Sequence, residues 1–147
     1  MIACVQRVLN AKVEVDGKTI SSIDRGLLVL LGVVKDDNVE SAKLLAEKIC
    51  NLRIFADKNH KMSLSVKDIN GEVLVISQFT LAADLSKGNR PDFSMAELPT
   101  IAEDLYKTYV NNIRSVLGAD RVGTGIFGAD MQVSLVNDGP VTLIIER

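Results

Sequence analysis

Met131-Gln132-Val133-Ser134-Leu135 and Val141-Thr142-Leu143-Ile144-Ile145, with Asn137-Asp138-Gly139-Pro140 between them, form the stretch whose reading decides the fold. Both arms alternate apolar and polar residues, the period of a half-buried strand. Asp138-Gly139 has the composition of a tight hairpin turn, because glycine tolerates positive φ. The pattern predicts two strands joined by a turn. Pro140 disturbs that prediction, since it has no N–H to give to a ladder. The segment therefore asks for a role other than strand pairing.

Outward from this stretch, the chain is 147 residues long, which fits one domain spanning residues 1–147. A domain of that size buries roughly 68–70% of its unfolded surface, enough for a real core. With 47% hydrophobic and 24% charged residues the chain is neither disordered nor fibrous in composition. Cys4 and Cys50 lie far apart in apolar surroundings, and no secretory signal precedes Ile2-Ala3-Cys4-Val5. Both are expected to be buried thiols in a reducing, cytoplasmic compartment. The longest apolar run, Gly26 to Val34, is well short of the roughly 18 residues of a membrane span. It predicts a strand covered on both faces, at the centre of a sheet. A net charge of −2 and a pI near 5.4 argue against broad attraction to nucleic acid, which needs clustered Lys and Arg. No DNA partner and no membrane are expected, and any nucleic-acid contact must be local.

Residues 5–15 alternate, Asp16-Gly17 supplies a hairpin turn, and Lys18 to Ile23 returns. Asp37 followed by Glu40 predicts a helix start, with Ala42, Leu45, Ala46 and Ile49 on one apolar face. Arg53 to Ala56 and Met62 to Val66 read as short strands around a polar loop, residues 57–61. Val73-Leu74-Val75-Ile76 is a second buried run, and it delivers Ser77-Gln78-Phe79-Thr80-Leu81 at its end. Ser94 with Glu97 predicts the cap of a long helix striped by Ile101, Leu105, Tyr109, Ile113 and Val116 and ended by Gly118. Many short strands and two helices predict a mixed, largely antiparallel α/β protein. Its sheet is expected to be strongly curved and barrel-like, with the two main helices packed outside.

Much familiar chemistry is missing. His60 is the sole histidine and lies in a polar loop, so a Ser-His-Asp or Cys-His site is not expected. Neither is a metal or any other cofactor, because the cysteines and carboxylates show no ligand spacing. Gly123-Thr124-Gly125-Ile126-Phe127-Gly128 matches a dinucleotide fingerprint, but a β-patterned segment follows where a helix N-terminus must meet the pyrophosphate. Those glycines are expected to shape a bend.

Ser77, Gln78 and Thr80 emerge from an apolar strand. They are compatible with the polar end of a strand and equally with the mouth of a pocket. In the second case the Thr80 hydroxyl is a candidate nucleophile or water-positioning group. Gln78 and the backbone N–H groups near Phe79 are then candidates to stabilise an oxyanion. Gly139-Pro140 is compatible with a trans turn, or with a cis bond forming a rigid rim for a small ligand.

Taken together, Ser77-Gln78-Phe79-Thr80 and Asn137-Asp138-Gly139-Pro140-Val141-Thr142 resemble the two signature segments of the bacterial and eukaryotic D-aminoacyl-tRNA deacylase family. Gln6-Arg7-Val8, Gly26 to Val33, Gly88 to Phe93 and Phe127-Gly128-Ala129-Asp130-Met131 extend the resemblance over nearly the whole chain. It implies hydrolysis of the ester between a D-amino acid and the terminal ribose of tRNA, with removal of mischarged glycine as a related activity. It also implies a homodimer whose active site is completed in trans. Gly139 and Pro140 would form a cis peptide that enters the other subunit's pocket and excludes L-amino acids by collision. Ser77, Gln78, Phe79 and Thr80 would line the pocket, with Met131 near the terminal adenosine. Hydrolysis would be assisted by the substrate's own 2′-OH, with backbone N–H groups positioning water. The partner is then the acceptor end of an aminoacylated tRNA, with Lys87 and Arg90 as candidate phosphate contacts. A non-catalytic ligand-binding oligomer, or an editing module like that of archaeal threonyl-tRNA synthetases, would be the competing readings. The completeness of both segments favours catalysis, and Gly139-Pro140 favours D-specificity.

Overall fold

Fourteen residues of alternating character make β1 (Ile2–Val15) long enough to pair with three other strands. The computed structural model describes residues 1–147. Asp16 and Gly17, both at positive φ, turn β1 into β2 (Lys18–Ile23), and β3 (Gly26–Gly32) returns along the other end of β1. After α1 (Val39–Cys50) come the small hairpin β4 (Phe55–Ala56) and β5 (Met62–Leu64), then β6 (Glu72–Ser77), a 3-10 turn at Phe79–Ala82, and α2 (Pro99–Leu117). A second 3-10 turn, Ala119–Arg121, leads into β7 (Val122–Thr124), and β8 (Gln132–Glu146) closes the chain.

The main sheet runs β2-β1-β3-β6-β7, with β8 added on β1. Pairings of β1 with β2, β3 and β8 are antiparallel, while β3–β6 and β6–β7 are parallel. β2 also reaches β6 and β7, so the sheet curls into a nearly closed barrel, as the sequence predicted. β3 is central and covered on both faces. Leu27, Val29 and Leu31 join the core that both helices cover, while Leu28 turns to a smaller cluster with Val8, Ala11, Val13, Leu74 and Ile76. Alternate residues of one unbroken apolar run thus fill two cores, the expected behaviour of a strand buried on both sides. No helix is long and apolar enough to cross a membrane.

Several local expectations change. The cap of α1 is Asn38, whose Oδ1 accepts from the N–H groups of Glu40 and Ser41 at 2.9 and 3.1 Å. Asp37 is not free to cap: its carboxylate takes the Met1 ammonium at 2.5 Å and the Val34 N–H at 2.8 Å. α2 starts at Pro99 rather than at Ser94. Ser94 N–H is held by Asp92, and proline at the helix start needs no N–H partner there. Its buried stripe is Ala102, Leu105, Tyr106, Tyr109, Val110, Ile113 and Leu117, leaving Ile101 and Val116 exposed. Cys50 is buried as expected and its thiol is pushed up to about 11 by burial, whereas Cys4 is only half-buried.

The largest correction concerns the stretch quoted first. Residues 132–146 are not a hairpin: both arms pair antiparallel with β1, from Glu14↔Gln132 to Ile2↔Glu146. Between Val8↔Asn137 and Gln6↔Thr142 the single residue Arg7 faces Asp138 to Val141. Those four residues leave the ladder as an excursion, which is why the missing N–H of Pro140 disrupts nothing.

Candidate active site

The apolar run of β6 ends at Ser77, opposite Leu31, and the Gln78 N–H continues the pairing by donating to the Leu31 carbonyl at 2.7 Å. The chain then tightens into the 3-10 turn Phe79–Ala82. The N–H groups of the first residues of such a turn have no carbonyl within it to bond, so those of Phe79 and Thr80 are left without a backbone acceptor. Gln78 Nε2 donates to Thr80 Oγ1 at 2.6 Å. An amide N–H fixes the hydroxyl but takes no proton from it, so Thr80 has no activating base here. His60 is exposed on the β4–β5 hairpin, at φ +59.

Beside this turn opens a cavity of about 470 Å³, lined by Ser77, Gln78, Phe79, Phe127 and Met131 among others. Its wall is mostly apolar, with Glu97 and Asp130 as its two carboxylates. The rear wall is fixed by Tyr106, whose hydroxyl donates to the Val75 carbonyl at 2.8 Å. Burial pushes the phenol up to about 12, so it remains a neutral donor throughout the usable range. Replacing it, as Tyr106→Phe, removes one of two donors to the Val75 carbonyl, which still accepts the Gly125 N–H at 3.3 Å, and should cost about 0.5–1.5 kcal/mol of stability, measured by urea denaturation. Met131 packs directly on Gly125, and a Cβ there would collide with Met131 Sδ, so Met131 would have to shift. The glycine-rich segment thus shapes a bend against the cavity, and no helix follows it.

Of the residues singled out from sequence, the cavity collects Ser77, Gln78, Phe79 and Met131. Thr80 is exposed beside it, and Gly139 and Pro140 are exposed and not among its lining residues. The Gly139-Pro140 bond is cis. Two residues hold the excursion that carries it. Arg7 lies beneath, 89% buried, with Nε 3.0 Å from Asp138 Oδ2, close enough for ion pairing though outside hydrogen-bond angle, and Nη1 donating to the Ile54 carbonyl at 2.5 Å. Asn137 Nδ2 bridges the base, donating to the carbonyls of Arg7 and Val141, each at 3.0 Å. Neither role was read from sequence, although an arginine within an apolar alternation was a signal. Tyr106, which the helix stripe read from the sequence did not include, and Phe127, placed there in a glycine-rich bend, are the other contributors, 5.9 Å apart between ring centroids.

A curled α/β sheet whose strand ends open onto an apolar pocket edged by amide and hydroxyl groups has the architecture of an enzyme acting on a small substrate group. The chain's match to a deacylase family makes that class a hydrolase of carboxylic esters. The model of the D-Tyr-tRNA(Tyr) deacylase family matches residues 4–146, and the chain belongs to that family. It is 60% identical over 146 residues to a D-aminoacyl-tRNA deacylase of Thermosipho africanus, covering 99% of this chain and 97% of the relative. The proteins of the same name from Flavobacterium psychrophilum and Haemophilus influenzae PittEE are 54% and 57% identical, covering 99% and 97% of this chain and 97% and 96% of theirs. Among solved structures, that of a c-Myc DNA unwinding element binding protein superposes with a TM-score of 0.96 at 43% identity, covering 100% of this chain and 99% of the other. A probable eukaryotic D-amino acid tRNA deacylase shares the fold, with a TM-score of 0.87 at 16% identity over 98% of this chain and 97% of that one.

Proposed function

We propose that the protein hydrolyses the ester joining a D-amino acid to the terminal ribose of tRNA, releasing free D-amino acid and tRNA. The same site serves mischarged glycyl-tRNA, and the work belongs in the cytoplasm, beside translation. The carrying observation is the division of the two signature segments. Ser77 to Phe79 line the cavity, while Gly139-Pro140 stand exposed on a braced excursion away from the cavity of their own chain. That division suits a homodimer in which each Gly139-Pro140 rim completes the partner's pocket. The edge of β8 opposite β1 is unpaired, and the strand exposes Val136 and Ile144, features that a second copy would cover. An L side chain entering such a site would meet the rim, whereas a D side chain would point away from it.

In this mechanism the ribose 2′-OH assists the attack of water, and the N–H groups of Phe79 and Thr80 stabilise the oxyanion. Gln78 and Thr80 hold the water and the ester in line. The terminal adenosine occupies the apolar cavity against Met131. The net charge of −2 offers no broad footprint for duplex DNA, so the name carried by one structural relative is not extended to this chain. Incubation with D-tyrosyl-tRNA should release D-tyrosine, and sedimentation should give twice the 16.0 kDa chain mass. Binding without release would contradict the catalytic reading, and an active monomer would contradict the shared site.

A further inference from the structure

After the 3-10 turn at Phe79–Ala82 the chain makes a loop whose base is closed by the antiparallel bridge Asp84↔Asp92, with N–H···O bonds of 2.8 and 3.0 Å. Phe93, at the end of the loop, packs edge-on against Phe79 with ring centroids 5.0 Å apart. The loop is thereby fastened to a residue that lines the cavity. Its charges are segregated. Asp84 and Asp92 sit at the base, where each carboxylate accepts a backbone N–H, from Ser86 and Ser94 respectively, at 2.8 Å. Lys87 and Arg90 lie at the exposed tip and make no ion pair. Two unpaired cations on a loop that ends in a partly exposed aromatic ring form the combination that grips single-stranded nucleic acid.

We infer that the loop from Asp84 to Phe93 seats the unpaired nucleotides preceding the terminal adenosine, with Lys87 and Arg90 pairing with their phosphates. Phe93 offers a base a ring face. This rests on the proposed deacylase reading and adds to it a place for the RNA outside the cavity. It also accounts for how an acidic protein can hold a tRNA: the contact is confined to one strand and few phosphates.

The test compares two esters of D-tyrosine, one on intact tRNA and one on adenosine alone, which has no phosphate. For the pair Lys87→Gln/Arg90→Gln, the ratio of kcat/KM on tRNA to that on the adenosine ester should fall about tenfold near physiological salt. The slope of log(kcat/KM) against log[salt] on tRNA should flatten by about 1.4, roughly 0.7 for each lost single-strand contact. The charge-keeping pair Lys87→Arg/Arg90→Lys should retain the slope. An unchanged ratio and slope in the glutamine pair would overturn the assignment while leaving the hydrolytic reading intact. A wild-type slope demanding many phosphates would overturn its confinement to this loop. Failure of the wild-type protein to cleave either ester would remove the deacylase reading, and this inference with it.

Discussion

Replacing the 2′-OH of the terminal ribose with hydrogen should slow hydrolysis of D-tyrosyl-tRNA by about 10²–10⁴-fold, the usual contribution of general acid–base assistance. Thr80→Ala should cost only about tenfold, as expected for the loss of a positioning hydrogen bond rather than of a nucleophile. The contrast follows from the site. Thr80 Oγ1 is met by an amide donor at 2.6 Å, and the one histidine of the chain is on a separate hairpin. A covalent Thr80 mechanism would reverse the ranking, because losing the nucleophile would abolish turnover. Single-turnover rates on the deoxy and natural esters, with mass spectrometry for an acyl-Thr80 species, check both halves. A trapped acyl-enzyme would decide against the account.

The second large effect is expected at the excursion opposite Arg7. Gly139 has φ +116, and a Cβ there would lie 2.7 Å from Arg7 Nη2 and 3.1 Å from Val141 Cγ2. Gly139→Ala must therefore strain the backbone and displace the arginine that supports the rim, at about 1–3 kcal/mol. A catalytic group misplaced by about 1 Å can cost roughly 10²-fold, and a loss of that order in kcat/KM on D-tyrosyl-tRNA is expected. Arg7→Ala acts on the same rim from below, removing the Asp138 ion pair and the bond to the Ile54 carbonyl. It should raise the relative rate on L-tyrosyl-tRNA. Arg7→Lys should not rescue it, because an ammonium does not reproduce the planar fork that reaches both partners. Wild-type kinetics in Gly139→Ala, with the fold intact by circular dichroism, would show that the rim has no part in the reaction.

What could be read from the residues follows from what each pattern encodes. The runs at Gly26 and Val73 announced buried strands because apolar continuity reports burial on two faces, and both became the parallel pair β3–β6. The face of α1 was legible through Ala42, Leu45, Ala46 and Ile49. Its cap was not, since Asp37 and Asn38 are both good caps and only the fold brings the Met1 ammonium to Asp37. At Asp138-Gly139 local composition suggested a turn, but strand partners are chosen at long range. Both arms meet the same β1, so the turn residues became an excursion. The pocket was half legible: Ser77 to Phe79 were marked by polarity at the end of an apolar run. Tyr106 stands outside the helix stripe read from the sequence and Phe127 lies in the glycine-rich bend; only the packing of α2 and of that bend around the end of β6 brings both to the cavity.

The most direct test is the rate of deacylation of D-tyrosyl-tRNA and L-tyrosyl-tRNA by the same preparation, at equal concentration and corrected for spontaneous hydrolysis. Release of tyrosine from the D ester alone is the predicted result. Release from the L ester at a comparable rate would contradict the account.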